Sequence, residues 1–268
     1  FHHKILWWFF MKIKKGDYVT RKSYDNDTVF IVLNISSDTY FLKGVDVRLY
    51  ADSNKEDLVK VNKPKENDDF VKKFKEDFLM DRSDFFYLPP KILHIDGDEM
   101  YLKRCLNFYK EAGILAIGKY LKEEDMAKNI RSLLIEYNPD IVIISGHDAY
   151  YRKKGDITDI HNYKNTINFI NAVNEARRYE KSHEKLVIIA GACQSNYEEL
   201  IKAGANYASS PKRINIHALD PAIIAVTLAL TERNEEVDLV SLLEKTKYGK
   251  DGMGGIKCNG LMYVGYPR

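Results

Sequence analysis

The sequence predicts an α/β chain: a mostly parallel sheet with helices on both faces, preceded by a small SH3-like β-barrel. Three observations carry that expectation. From Lys91 onward, apolar runs alternate with stretches of helical period. Two of the runs, "DIVIISGHD" and "LVIIAGACQS", lack any polar alternation, the pattern of strands buried on both faces. Before residue 63 the texture is different, with short runs rich in Val, Ile, Thr, Tyr and Phe separated by turn residues.

The first ten residues, FHHKILWWFF, precede Met11 and are expected to be translated upstream sequence or a cloning scar. Their apolar part falls short of the roughly 20 residues a membrane span needs, and no small-residue cleavage site follows. Residues 11–62 are the barrel candidate: "DYVTRKSY", "TVFIVLNIS", "TYFLKGVDV" and "RLYADS" are strand-like, with Asp25-Asn26-Asp27, Ser36-Ser37-Asp38 and Asp52-Ser53-Asn54 as turns. Residues 63–90 form a charged connector with a short amphipathic helix in its middle, closed by Pro89-Pro90. Residues 91–268 are the α/β domain. Strand-like "KILHIDGD", "ILAIGKYL", "DIVIISGHD" and "LVIIAGACQS" alternate with helical "EMYLKRCLNFYKEAG", "EEDMAKNIRSLLIEYN", "NTINFINAVNEARRYE" and "NYEELIKAGA". "PAIIAVTLAL" carries proline at a first turn and an apolar body, which predicts a packed helix.

Composition narrows the function classes. The chain has 268 residues, 45% of them apolar, enough for a sizeable core. Its 41 basic and 39 acidic side chains leave a formal charge of +2, so no global field argues for nucleic acid or a membrane surface. Barrel and connector together, from Lys12 to Pro90, carry 15 basic and 15 acidic residues, which favours protein docking or a purely structural role over RNA binding. Cys105, Cys193 and Cys258 lack disulfide-framework or zinc spacing, which points to a reducing setting and to no metal. No cofactor is expected.

In an open parallel sheet, chemistry collects beyond the carboxyl ends of the strands. The residues ending the apolar runs are Asp96-Gly97-Asp98, Ser145-Gly146-His147-Asp148 and Ala190-Gly191-Ala192-Cys193-Gln194-Ser195. His147 lies three residues past its run and Cys193 four past its own. One loop and one helix separate the two runs, a single crossover, and crossovers usually join neighbouring strands. Neighbours are about 4.8 Å apart, so a thiol and an imidazole reach one crevice, the arrangement thiol hydrolysis requires. Gly146 and Ala192 are candidate oxyanion or close-approach positions on the two strand ends. His217, in "RINIHALDP", is the runner-up histidine, expected at the next strand's end. His94 and Cys105 read as core, Cys258 as structural, and Asp96 and Asp98 as capping or loop-fixing residues. The loop from Ala149 to Asn165 is placed to cover the cleft.

Two resemblances add to this reading. "IVIISGHD" followed by "LVIIAGACQS" resembles the caspase–legumain–gingipain group of cysteine peptidases, which implies a caspase-like α/β fold. In that group a glycine follows the histidine; here Gly146 precedes it and Asp148 follows. A broader resemblance covers nearly the whole chain from Met11, through "KKGDYVTRKSYDNDTVFIVLNI", "YFLKGVDVRLYADS", "ILHIDGD", "PDIVIISGHDAY" and "GACQSNYEELIKAGANYASSP". These strings are similar to the YabG family of sporulation-specific proteases of endospore-forming Firmicutes. That resemblance implies a cysteine endopeptidase with Cys193 as nucleophile and His147 as its partner. It implies spore coat and germination-related proteins as substrates, cleaved after basic residues, and a location in the mother-cell cytoplasm or at the spore coat. A basic residue in the cleft needs an acidic pocket, for which Asp148 and Asp220 are the candidates; helix capping is the competing role for Asp220. Two other readings compete with the peptidase. One is a glutamine-amidotransferase-like hydrolase, since "GACQS" approaches a nucleophile elbow but ends in serine. The other is a non-catalytic coat or scaffold protein with a receiver-like α/β domain.

Overall fold

The structure, a computed structural model, describes residues 13–64, 85–152 and 155–266. The first ten residues and the expected connector helix lie outside them. The chain divides into two compact units, residues 1–67 and 68–268.

The first unit is a five-stranded antiparallel sheet. Its strands are β1 (Tyr18–Arg21), β2 (Phe30–Ser36), β3 (Thr39–Gly44), β4 (Tyr50–Asn54) and β5 (Leu58–Val61), in the order β4-β3-β2-β1-β5. Two of the three predicted turns form: Asp25, Asn26 and Ser37 adopt positive φ, and Ser37-Asp38 closes the β2–β3 hairpin. Asp52-Ser53-Asn54 is instead strand, paired to β3 as the end of β4. Val19, Phe30, Val32, Tyr40, Leu42 and Leu58 form its core. The recorded pairings run from edge to edge, with no β4–β5 ladder among the described residues. The coarser expectation of a small antiparallel β unit therefore stands.

The second unit is the α/β body. Its six-stranded sheet comprises β7 (Ile92–Asp96), β8 (Ala116–Tyr120), β9 (Ile141–Ser145), β10 (Val187–Ala190), β11 (Tyr207–Ser209) and β12 (Met253–Gly255). Five strands are parallel in the order β8-β7-β9-β10-β11, and β12 adds antiparallel at the β11 edge. A separate two-stranded ribbon pairs β6 (Phe86–Leu88) with β13 (Tyr263–Gly265).

Alternate side chains of the buried strands feed opposite layers. Ile141 and Ile143 of β9, with Val187 and Ile189 of β10, pack with α1 (Glu99–Glu111), α5 (Asp220–Leu230) and α6 (Leu239–Glu244). Val142, Ile144, Ile188 and Ala190 pack with α2 (Glu123–Tyr137), α3 (Thr166–Tyr179) and α4 (Tyr197–Lys202). Both faces are thus covered, as the unalternating runs require. A short helix, α7 (Gly249–Gly252), leads into β12. All eleven residues of α5 are buried, as its apolar body predicts.

Two differences from the sequence reading concern short elements. The segment "RINIHALDP" is not a strand but an irregular connection leading to α5, and the strand after β10 is the three-residue β11. The glycine-rich tail supplies β12, where Gly255 admits the Tyr207 ring and the Asn206 carbonyl in space a side chain would take. The strand order reverses between β7 and β9, so the crevice beyond their carboxyl ends is where an open sheet of this order binds ligands.

Candidate active site

β9 and β10 are neighbours, and their register pairs Ile144 with Ala190. His147 and Cys193 each lie three residues beyond that pair, so the two side chains leave the same sheet edge from adjacent strands. At β7, paired to β9 on the other side, Asp96 lies opposite Ser145, and Asp98 is two residues further on.

Asp98, Glu123 and Tyr101 hold the histidine, together with Asn165, whose Nδ2 donates to the His147 carbonyl at 2.8 Å. His147 Nε2 lies 3.0 Å from Asp98 Oδ2, with only 9% and 4% of the two side chains exposed. Its backbone N–H donates to Glu123 Oε1 at 2.7 Å. The Tyr101 ring packs at 5.8 Å from the imidazole. Gly146 has a specific steric reason: a Cβ there would meet Glu123 Oε1 at 2.5 Å. Gly97 faces the same carboxylate. The first residue of α2 is thus wedged between the ends of β7 and β9. Sequence reasoning missed Glu123 and the reach of Asp98 to His147; the signals were acids opening a helix and glycines at both strand ends.

Behind Asp98 runs a buried polar chain. Asp98 N–H donates to Asp96 Oδ1 at 2.9 Å, Asp96 Oδ2 accepts from Ser145 Oγ at 2.8 Å, and His94 Nε2 lies 2.9 Å from that hydroxyl. Asp98 Oδ1 also caps α1, accepting from Met100 and Tyr101 N–H. The capping role expected of this acidic pair is therefore present.

Cys193 is fully buried. Its sulfur accepts the Ile216 N–H at 3.3 Å and lies 3.8 Å from the Ile216 carbonyl oxygen, so the connection before α5 lies over it. The shared sheet edge is as expected; the openness at the sulfur is not. Gly191, at φ +104°, would bring a Cβ against Leu200 and Ser209, so its smallness serves packing and turn geometry. The Ala192 N–H donates to Ser195 Oγ at 2.9 Å, so an oxyanion at that amide must displace the hydroxyl. Gln194, at φ +60°, links both covering loops: its N–H donates to Ile214 O, its Nε2 to Asn215, and its Oε1 accepts from Tyr150 N–H.

The two acidic pocket candidates are engaged internally. Asp148 accepts from Ala149 and Asn165 N–H, Ser195 Oγ and Thr166 Oγ1. Burial raises its carboxyl above the usual range, against the pull of those donors. Asp220 accepts from His217 N–H at 2.9 Å and Lys247 N–H at 2.8 Å. His217 itself is buried and accepts Leu219 N–H at Nδ1, the geometry of a turn-forming residue. His94 and Cys105 are core residues. No cluster of three or more His, Cys, Asp or Glu side chains that could hold a metal occurs among the described residues.

Comparison with known proteins decides the family. The family model described as YabG peptidase U57 matches residues 14–267. The chain belongs to the YabG peptidase family. It is 38% identical to the sporulation-specific protease YabG of Bacillus subtilis (strain 168), over 96% of this chain and 99% of the relative. As a YabG-family peptidase it acts on peptide bonds, and the paired ends of β9 and β10 are its candidate catalytic edge. Among the described residues no helix is long and apolar enough to cross a membrane.

Proposed function

We propose that this peptidase is a cysteine endopeptidase with Cys193 as nucleophile and His147 as its acid–base partner. The observation that carries the reading is the β9–β10 register, which sets both residues three positions past a paired Ile144 and Ala190. The Cys193 thiolate attacks the scissile carbonyl carbon and the imidazolium protonates the departing amine. A water, deprotonated by the neutral imidazole, then adds to the thioester and releases the acid. The Ile216 N–H directed at the sulfur is a donor whose bond strengthens when the thiolate forms. Catalysis requires the Ile216 segment to move off the sulfur, so substrate entry and opening are coupled. The sealed sulfur is the one feature favouring a non-catalytic coat protein; membership of a peptidase family weighs against that reading.

The name of the Bacillus relative supports a role in sporulation. Spore coat and germination-related proteins as substrates, cleavage after basic residues, and action in the mother cell or at the coat follow from the family resemblance. Recognition of a basic side chain by Asp148 or Asp220 would require exchange of their internal hydrogen bonds for a guanidinium. The test is cleavage of an Arg-containing coat peptide. Cys193→Ala and His147→Ala abolish turnover, His147→Ala also melting earlier because the buried Asp98 carboxylate loses its partner, and His217→Ala melts earlier yet still cleaves. Full turnover by the Cys193 variant would remove the mechanism.

A further inference from the structure

We propose that Asp98 is the positioning residue for His147, so that the machinery is a Cys193–His147–Asp98 chain in which Nδ1 exchanges the proton with sulfur. This rests on the dyad reading above and adds the group that orients its base. The Asp98 carboxylate divides its oxygens. Oδ1 takes the first-turn N–H groups of α1, and Oδ2 faces His147 Nε2 at 3.0 Å. The carboxylate cannot swing away, because its own N–H is tied to Asp96 and both side chains are almost wholly buried. A proton held on Nε2 by that oxygen leaves the Nδ1 lone pair to accept from the thiol. When the imidazole becomes imidazolium, the same oxygen faces the new positive charge in a water-poor setting, where its attraction is strongest. Among the described residues, Tyr101 of α1 packs on the ring, Glu123 of α2 holds the His147 backbone rather than the imidazole, and Asp96 of β7 accepts the Asp98 N–H behind the carboxylate.

The competing role for Asp98 is the cap alone, and Asp98→Asn separates the two. Asparagine is as good an N-cap as aspartate, so its oxygen retains the α1 bonds. Its amide then faces Nε2 as a donor, forcing the proton onto Nδ1, and the loss of charge leaves the imidazolium unsupported. In triad hydrolases the matching change costs about 10⁴ in kcat through the wrong tautomer. The expected result is a kcat lowered roughly a hundredfold or more, with KM and melting temperature near wild type. The alkaline limb of the kcat/KM profile moves to lower pH, and iodoacetamide labelling of Cys193 slows in step. Asp98→Ala loses activity and melts earlier, having lost the cap as well. Wild-type kcat and unchanged pH limbs in Asp98→Asn would overturn the proposal. Should that variant not fold, nitrogen NMR of His147 in the Cys193→Ala protein, with Asp98 intact, reads the tautomer directly: a proton on Nε2 supports the chain, a neutral ring protonated at Nδ1 overturns it. A fully active Cys193→Ala protein would instead sink the underlying dyad, whatever Asp98 does.

Discussion

Asp148 ties two loops together with one carboxylate. It holds the residues following His147 through Ala149 and Asn165 N–H, and the turn following Cys193 through Ser195 Oγ, which in turn accepts Ala192 N–H. Ser195→Ala removes a buried donor and acceptor at once, and should cost about 1–3 kcal/mol of stability, read by denaturant unfolding. Activity should fall by more than the unfolded fraction explains, because the Cys193 turn loses its tie to the histidine loop. The pH dependence has a definite sign. Burial raises the folded Asp148 carboxyl above its unfolded value. Its contribution to stability is therefore fully present below the ordinary carboxylate range and is lost as pH rises through the raised value. Asp148→Asn should flatten that slope in melting curves taken from pH 4 upward; an unchanged slope would assign it to other groups. At this scale His147 and Cys193 were legible because each ends an apolar run. Asp98 as the histidine's partner was not, since its reach depends on β7 lying beside β9, and strand order is not written in local periodicity.

Among the elements, α5 and the connection before it are held in different ways. Helix α5 is apolar on every side and buried throughout, so Ile224→Ala opens a cavity on the α1 side of the sheet and should cost about 2–5 kcal/mol in unfolding. The preceding connection buries Ile216, Ala218 and Leu219 and is also fastened by polar side chains. Arg213, at φ +53° and 7% exposed, donates to Tyr163 Oη and Asn196 Oδ1, to its own loop's carbonyls, and pairs with Glu198. It thereby fastens the segment over Cys193 to the loop after His147. Arg213→Met keeps much of the aliphatic bulk but drops these bonds. Iodoacetamide should then label Cys193 several-fold faster, with hydrogen exchange rising in residues 210–219. No acceleration would mean that the sulfur is covered by apolar packing alone. The long parallel strands and their helices were readable from runs and periods. The three-residue β11 and the glycine-rich β12 were not, because so few residues show no period and their pairing comes from the neighbouring strand.

At the scale of the whole molecule, the apolar cores respect the division into two units. Among the described residues, the cluster around Val19, Phe30 and Leu42 falls in residues 1–67, and the two clusters flanking the parallel sheet fall in residues 68–268. A body with its own two-sided core should fold without the smaller sheet. Docking of protein substrates and a purely structural role are the two parts that would suit the smaller sheet. A fragment of residues 68–268 separates these. It carries every residue assigned to the proposed machinery, so it should unfold cooperatively and cleave a short Arg-containing peptide with the kcat/KM of the full chain. On an intact coat protein, a docking role predicts a raised KM with unchanged kcat, recovered only when the N-terminal unit is covalently attached. Equal KM on both substrates would assign that unit a structural part elsewhere, and a fragment that fails to fold would show that the two cores are not energetically independent despite sharing no cluster.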